Sequence, residues 1–255
     1  MIEVSDLYKE FSGVPVLKGI TTQFEKGMTN MIIGQSGSGK TVFLKCLVGL
    51  HVPEKGIISF DGRKHTELGI KEHRQLRKEI GMVFQGGALY DSLTVEENVM
   101  FPLKMFTRNT NSEMLDRVNT VLDRVNLVNV NAKFPAQLSG GMQKRVAIAR
   151  AIVMNPKYLF CDEPNSGLDP NTATVIDNLI QEITKEYDII TVINSHDMNS
   201  VMEIGEKIIF LKDGVKAWEG SNKEIFKTEN EAIVNFVYSS NLFRKVREAQ
   251  LGKTK

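Results

Sequence analysis

The sequence predicts an α/β protein with a mostly parallel sheet, helices on both faces, antiparallel strands at the N-terminus and an inserted helical subdomain. Three observations predict it. Short apolar segments such as 31–33, 158–161 and 189–193 are followed by helical patterns, which is typical of a sheet covered on both sides. No strand pattern appears between about 87 and 155. A glycine-rich segment joins one of the strands to a helix.

That glycine-rich segment spans residues 34–41 and fits the pattern G-x-x-x-x-G-K-[ST] of a phosphate-binding loop. Its glycines allow backbone N–H groups to approach an anion, and the helix that follows adds its positive N-terminal end. Lys40 is expected to reach the β- and γ-phosphates, and the Thr41 hydroxyl to hold Mg²⁺. The predicted nucleotide-binding residues of the loop are Gly34, Gln35, Ser36, Gly37, Ser38, Gly39, Lys40 and Thr41.

Composition is that of an ordinary globular protein. The 255 residues are 42% apolar and 25% charged, with a net charge of +1, so no overall field favours nucleic acid. Cys46 and Cys161 lie in apolar surroundings and are expected to be buried thiols, and the four histidines show no metal-ligand spacing. Neither a signal peptide nor a membrane span is visible, so we expect a soluble cytoplasmic protein that reaches a membrane only through a partner.

The N-terminal third predicts strands at 2–8 and 14–24 around a polar turn at 10–13, in which Phe11 lies. The strand at 28–33 feeds the phosphate loop, and a helix over 40–49 leaves it, with Gly49 as its stop. A strand at 57–60 follows. Residues 64–79 are highly charged and predict a solvated helix.

The middle third begins with a buried strand at 81–85, which ends in Gln85. Thr94 with Glu97 forms a helix N-cap signature, and the apolar spacing over 111–127 predicts an amphipathic helix. Ser139 is a natural N-cap for the next helix, whose downstream face is apolar. Together these segments predict the helical insertion.

The last third predicts an apolar strand at 158–163, a helix at 170–186, a strand at 189–194 and a hairpin around Asp213-Gly214. The tail from residue 222 is predicted to be helical, and its end is basic. A solvated end is the simpler interpretation of that charge; a membrane or partner contact is the alternative.

Polar residues at the ends of these strands supply what phosphoryl transfer needs. Asp162 follows an apolar strand, where a Mg²⁺-associated acid is expected, and Glu163 could polarise the attacking water. Gln85 could contact Mg²⁺ or that water, and His196 could hydrogen-bond the γ-phosphate. Each of them singly also fits a structural role, but all of them in this order behind a phosphate loop indicate a nucleotide hydrolase.

Over residues 1–228 the chain resembles the ATP-binding-cassette (ABC) ATPases, the motor subunits of ABC transporters. The most specific element is Leu138-Ser139-Gly140-Gly141, which matches the signature motif. Gln85 matches the Q-loop, 166–169 the D-loop and His196 the H-loop, while Phe11 falls where the family places its adenine-stacking aromatic residue. Met142 stands where most of the family has Gln.

The resemblance implies a homodimer that sandwiches two ATP molecules, with Ser139, Gly140, Gly141 and Asp169 contacting the nucleotide bound by the other copy. It implies catalytic roles for Glu163, His196 and Gln85, and a Mg²⁺ ion held by Thr41, Gln85 and Asp162. It also implies a domain at 1–228 with a RecA-like core (1–86 and 156–228), a helical subdomain (87–155) and a helical basic tail (229–255).

A narrower resemblance concerns residues 84–103 and the Ser-Gly-Gly-Met sequence, which are similar to the ATPases of Mla-type phospholipid transporters. It implies integral-membrane permease subunits, an MCE-domain lipid-binding protein, a small STAS-type regulatory subunit and a place at the cytoplasmic face of the bacterial inner membrane. Importers of amino acids share much of this pattern, so a small-solute importer stays open.

Two further alternatives are weaker. ABC proteins that act on DNA carry long insertions or zinc sites, and those that act on the ribosome usually carry two cassettes; this chain has one cassette with a short insertion without cysteine clusters, and we expect no nucleic-acid partner. A regulator that binds nucleotide without hydrolysis is disfavoured by the intact Lys40, Asp162, Glu163 and His196.

Overall fold

The computed structural model describes residues 1–238. The chain divides into two compact units, one formed by residues 1–67 together with the segment from Ile193 onward, the other by Leu68–Val192. Each unit combines strands and helices, as the predicted α/β class requires. The domain boundaries predicted from the sequence stay a prediction.

The first unit contains an antiparallel sheet in the order β2-β1-β4-β5. Its strands are β1 (Ile2–Phe11), β2 (Val14–Phe24), β4 (Lys55–Phe60) and β5 (Arg63–Lys64). Side chains alternate between buried and exposed along β1, with Ile2, Val4 and Leu7 in the core. That alternation is what one covered face and one solvated face require.

The same unit contains β3 (Thr29–Ile33), β9 (Lys207–Lys212) and β10 (Val215–Gly220). β3 pairs in parallel with β9, and β9 forms a hairpin with β10 around Asp213-Gly214. The end of β8 (Ile190–Asn194) continues beside β3, because the Ser195 N–H donates to the Ile32 carbonyl at 3.1 Å. All residues of β3 and β8 are buried, as expected of inner strands.

Among its described residues, this unit contains the α-helices α1 (Lys40–Leu47), α7 (Met198–Ile204) and α8 (Glu231–Val237). α8 begins at Asn230, whose side chain caps it and donates to the Ala217 carbonyl. Phe236 of α8 lies 5.0 Å from Phe210 between ring centroids. The predicted helical tail is therefore helical at 231–237, and the basic residues predicted at its end lie outside the described residues.

The second unit contains the parallel pair β6 (Ile80–Val83) and β7 (Tyr158–Asp162), in which Val83 lies opposite Cys161. The start of β8 continues beside β7, since the Ile190 N–H donates to the Lys157 carbonyl. Its helices are α2 (Ile70–Glu79), α3 (Val95–Phe106), α4 (Asn111–Arg124), α5 (Gly140–Ile152) and α6 (Pro170–Glu186). Within 84–157 the structure contains helices and turns without a strand, as predicted.

Helix caps explain most of the observed boundaries. Thr94 and Thr110 form capping boxes with Glu97 and Glu113, and these hydrogen bonds lower the pKa of both carboxyl groups. Ser139 caps α5 as predicted. The helix predicted over 111–127 ends earlier, at Arg124, because Asn126 takes a left-handed conformation.

Three other predicted boundaries were wrong. The strand predicted at 2–8 extends to Phe11, so the turn contains only Ser12 and Gly13, both with positive φ. The helix predicted from 64 begins at 70, because the Gly69 N–H bonds to the Glu72 carboxylate. The strand predicted to end at Gln85 ends at Val83.

None of the helices in the described part of the chain combines the length and the apolar character that crossing a bilayer requires.

Candidate functional site

The phosphate loop, residues 34–41, connects β3 to α1 and is tightly packed. Gly34 and Gly39 have φ values of 153° and 100°. A Cβ atom at Gly34 would lie 2.3 Å from the Leu211 carbonyl oxygen, and one at Gly39 would lie 2.9 Å from the Leu17 side chain. These two positions therefore require glycine for both conformation and space.

Two polar side chains of this loop, those of Lys40 and Ser38, are buried. The Lys40 ammonium is buried and donates to the carbonyls of Gly34 and Gln35 at 2.9 and 3.0 Å. The Ser38 hydroxyl is also buried, and it has no hydrogen-bond partner among the residues that the structure describes. A buried hydroxyl without a partner is costly, and phosphate oxygens would satisfy it. The loop therefore fits a bound phosphate group.

Thr41 and His196 belong to the same edge of the first unit as the loop. The Asn194 amide donates to the Thr41 hydroxyl oxygen at 3.2 Å. His196 is exposed and lies two residues after Asn194, between β8 and α7. Ser195 fixes this connection, since its hydroxyl accepts from the Asp197 N–H at 3.0 Å. The imidazole is thus presented at the carboxyl end of β8, where ligands bind in open α/β sheets.

Asp162 and Glu163 lie at the carboxyl end of β7 in the second unit. Asp162 is the last strand residue and is buried, whereas Glu163 has φ = 46° and turns out of the strand. The Gln85 amide donates to the Glu163 carboxylate at 2.8 Å. The strand register explains this contact, because each residue lies two positions beyond the pair Val83 and Cys161.

The predicted signature and D-loop residues are also neighbours. Ser139 caps α5, and a Cβ at Gly141 would lie 2.7 Å from the Thr172 methyl group. Asp169 caps α6 by accepting from the Thr172 N–H and hydroxyl, which lowers the pKa of Asp169. Thr172 is thus the common neighbour of both motifs. Ser139, Gly140 and Asp169 are all exposed.

Phe11 is the last residue of β1, not a residue of the turn. Its ring packs edge-on against His51, with centroids 5.2 Å apart, and the Lys9 ammonium lies 5.0 Å from its centroid. The ring is 41% exposed, so one part of its surface remains accessible. Its predicted contact with adenine stays a prediction.

Sequence reasoning missed four residues that hold these motifs. Asn194 contacts Thr41, and Lys144 donates to the Gln85 carbonyl. Arg150 donates to the Gly87 and Ala88 carbonyls. Asn98 is fully buried and bonds to the backbone of Tyr90, Leu93 and Thr94. Only the spacing of Lys144 and Arg150 on one face of α5 could have been noticed beforehand.

The three side chains predicted to hold Mg²⁺ carry oxygen donors. Mg²⁺ prefers carboxylate and hydroxyl oxygens and few protein ligands. Asp162 offers a carboxylate, Thr41 a hydroxyl oxygen and Gln85 an amide oxygen. The chemistry of these three side chains therefore fits the predicted ion.

Comparison with known proteins gives consistent results. The family model described as "ABC transporter" matches residues 17–166. The probable ribonucleotide transport ATP-binding protein Mkl of Mycobacterium leprae is 37% identical over 235 residues, which cover 91% of this chain and 67% of that protein. The methionine import ATP-binding protein MetN of Campylobacter jejuni is 35% identical over 257 residues, covering 94% and 76%. The chain thus spans about two thirds to three quarters of these relatives' length.

Among solved structures, the dimeric bacterial ABC transporter cassette MJ0796 superposes with a TM-score of 0.80 at 34% identity, covering 87% of this chain and 99% of that one. A second structure of MJ0796, a dimeric post-hydrolysis state bound to ADP and Pi, gives 0.79 at 33% identity with the same coverage. The predicted fold class and the ATPase assignment are confirmed by these matches. The chain belongs to the ATP-binding subunits of ABC transporters.

Proposed function

We propose that this ATPase closes as a homodimer on two ATP molecules, moves an attached membrane permease, and thereby transports phospholipid. The phosphate loop carries the first step of the proposal. It contains the buried Lys40 ammonium and a buried Ser38 hydroxyl without a hydrogen-bond partner among the described residues, and a phosphate oxygen would supply that partner. The remaining steps rest on family membership and on the contacts below.

Glu163 is the proposed general base. Its carboxylate accepts the Gln85 amide hydrogen bond, which fixes one oxygen and orients the other. In that role it takes the proton of the attacking water, while Lys40 holds the phosphate oxygens and His196 donates to the γ-phosphate. Magnesium, held by Thr41, Asp162 and Gln85, would neutralise phosphate charge. Phe11 would stack on adenine with its exposed part.

The second copy is proposed to complete each site. Ser139 and Gly140 are exposed at the N-terminus of α5, a thirteen-residue helix whose dipole favours an anion. Asp169 is exposed as well, and it accepts a hydrogen bond from the N–H of Thr172, the neighbour that it shares with the signature motif. A nucleotide bound by the partner subunit would accept hydrogen bonds from the backbone N–H groups at the N-terminus of α5.

Mixing two inactive variants tests this arrangement. Ser139→Ala and Lys40→Ala homodimers should both be inactive, whereas a statistical mixture should regain about a quarter of the parental sites, since half of the dimers then carry one intact composite site. ATP hydrolysis is measured on the mixture, with hetero-dimers verified by two affinity tags. A hetero-dimer without activity would contradict the trans arrangement. The negative control is a mixture of the Ser139→Ala variant with a variant that carries both Ser139→Ala and Lys40→Ala, because no dimer in that mixture has an intact composite site.

The permease is proposed to bind a groove of about 430 Å³ in the second unit. Its walls are mostly apolar and aromatic, including Phe84, Tyr90, Phe101 and Met105, and Arg77 stands among them. These side chains suit a short amphipathic helix with a carboxylate. Such a helix would be a cytoplasmic segment of the permease, and the proposed place of the chain is accordingly the cytoplasmic face of the inner membrane.

Two observations point to different substrates. The segment 84–103 and the Ser-Gly-Gly-Met sequence favour phospholipid, together with an MCE-domain protein and a STAS-type subunit as partners. The names of the relatives, which refer to ribonucleotide transport and methionine import, favour a small solute. We propose phospholipid, because the segment 84–103 contributes five residues to the lining of the groove proposed to bind the permease: Phe84, Ala88, Tyr90, Phe101 and Pro102.

Purification with the native permease distinguishes these substrates. The complex is kept in detergent without lipid, and ATP hydrolysis is measured with added phospholipid, methionine or ribonucleotide. We expect stimulation by phospholipid and a bound phospholipid in the extracted complex. Stimulation by methionine or a ribonucleotide alone would refute the lipid proposal and leave the ATPase assignment intact.

A further inference from the structure

One face of α5 lies along the loop that follows β6. Lys144, Ala147 and Arg150 are spaced by three residues, so they share this face. The loop, residues 84–94, is called the Gln85 loop below. Gly87 packs against Ala147, since a Cβ on Gly87 would lie 3.8 Å from the Ala147 methyl group.

Two cations of this face bind backbone carbonyls of the Gln85 loop. The Lys144 ammonium donates to the Gln85 carbonyl. The Arg150 guanidinium donates to the Gly87 carbonyl at 2.6 Å and to the Ala88 carbonyl at 2.7 Å. Hydrogen bonds from charged donors are roughly twice as strong as neutral ones. Three carbonyls within four residues are therefore held by one helix.

Both cations lose hydration in these positions. Lys144 is 7% exposed, and burial lowers its pKa, which the Glu163 carboxylate opposes. Burial also lowers the pKa of Arg150. Burying a cation is unfavourable unless it is paired and hydrogen-bonded, so an apolar residue would fill this space more favourably. The hydrogen bonds to the loop carbonyls, and not the filling of space, therefore explain why these two positions carry cations.

The backbone conformation of the loop depends on such contacts. Ala88 has φ = 47° and Gly87 has φ = 74°. A left-handed alanine is strained and persists only where its surroundings hold it. Glu163, whose carboxylate accepts from the Gln85 side-chain amide, has φ = 46°. Two strained segments are therefore joined through Gln85.

Gln85 receives both contacts at once. Its carbonyl accepts from Lys144, and its side-chain amide donates to the Glu163 carboxylate at 2.8 Å. Displacing the Gln85 backbone would move its amide away from the carboxylate. Ser139 caps α5 and Lys144 is the fifth residue of that helix, so the residue that contacts the Gln85 carbonyl belongs to the same helix as the signature motif.

We propose that Lys144 is a positioning residue for ATP hydrolysis, linking the signature helix α5 to the Gln85–Glu163 hydrogen bond. Arg150 holds the second point of the same link. The inference rests on the proposed role of Glu163 as base. It assigns Lys144 no contact with nucleotide; its effect reaches the reaction only through Gln85.

Steady-state kinetics of the full chain test this. Lys144→Met removes the donor and keeps the length of the side chain. We expect kcat to fall roughly 10- to 100-fold with KM for ATP within about two-fold, because misplacing a catalytic group costs rate and not ground-state binding. Lys144→Arg should restore most of kcat. Lys104→Met, an exposed lysine of α3, is the matched control and should behave as the parent.

A double-mutant cycle with Gln85→Ala separates positioning from general destabilisation. If Lys144 acts through Gln85, the double variant should hydrolyse ATP no more slowly than Gln85→Ala alone, within about two-fold. Multiplicative losses, or a kcat of Lys144→Met near that of the parent, would overturn the inference. Thermal unfolding monitors folding, and Lys144→Leu, which also lacks a donor, replaces Lys144→Met in the same cycle if the latter fails to fold.

The proposed function has its own readout. If Glu163→Gln retains turnover, the role of Glu163 as base is wrong, whatever Lys144 does. If Glu163→Gln is inactive and Lys144→Met is fully active, only the inference about Lys144 fails. The two failures are thereby distinguishable.

Discussion

The phosphate loop and the Gln85 loop both follow a strand with a parallel neighbour and both contain glycines, yet they are held in different ways. In the phosphate loop, the Lys40 ammonium bonds to carbonyls five and six residues earlier, and the Ser38 hydroxyl is buried without a partner among the described residues. In the Gln85 loop, the carbonyls of Gln85, Gly87 and Ala88 bond to cations about sixty residues later.

The difference concerns what each loop can do. A loop built by its own neighbours and left with an unsatisfied polar group gains stability when a ligand binds. A loop whose polar groups are bonded to another helix gains little from a ligand, but it follows that helix when it moves. We infer that the first loop binds and the second transmits, and three predictions test that distinction.

The largest effect is expected at Glu163. Glu163→Gln removes the proposed base but keeps the shape of the side chain, so turnover should fall by about 10²–10⁴ while ATP binding persists. An ATP-bound dimer should then accumulate, visible by size-exclusion chromatography with ATP and magnesium. Hydrolysis near the parental rate would contradict the role of Glu163 as base.

An intermediate effect is expected at Asn98, a residue of α3 whose side chain bonds to the backbone of the Gln85 loop. Its fully buried side chain bonds to Tyr90, Leu93 and Thr94, so Asn98→Ala leaves several backbone groups unsatisfied. The free energy of unfolding should fall by about 3 kcal/mol. Urea unfolding measures it. A loss below about 0.5 kcal/mol would mean that the loop does not depend on this side chain.

The smallest effect is expected at Ser38, and its two parts have opposite signs. Ser38→Ala removes a buried hydroxyl without a described partner, so the free energy of unfolding should stay the same or rise slightly. ATP affinity should fall about 10-fold, because the hydroxyl no longer donates to a phosphate oxygen. Calorimetry with ATP and urea unfolding give the two values. A variant with lower stability and unchanged affinity would reverse our distinction between the loops.

The sequence was a good guide wherever the chemistry is contiguous. The phosphate loop needs eight consecutive residues, and local rules alone predict its strand, its glycine conformations and its helix. The caps at Thr94 and Ser139 were predicted for the same reason, because a cap depends on residues three positions apart. The strand–helix alternation predicted the α/β class, which the comparisons confirm.

The predictions from sequence were wrong or incomplete where the local structure depends on residues that are distant in the sequence. The extension of β1 to Phe11 depends on pairing with β2 and on Glu54, whose carboxylate accepts from the Glu10 N–H. The roles of Lys144 and Arg150 depend on which carbonyls the fold brings to α5, and nothing in their own neighbourhood specifies this.

By itself, then, the sequence determined the kind of chemistry, because phosphate binding uses backbone groups whose conformation is set by neighbouring residues. Only the tertiary structure decided how Gln85 and Glu163 are joined and what holds Gln85 in place. Those contacts connect residues 78 and 59 positions apart, and their formation depends on strand register and helix packing and not on local propensity.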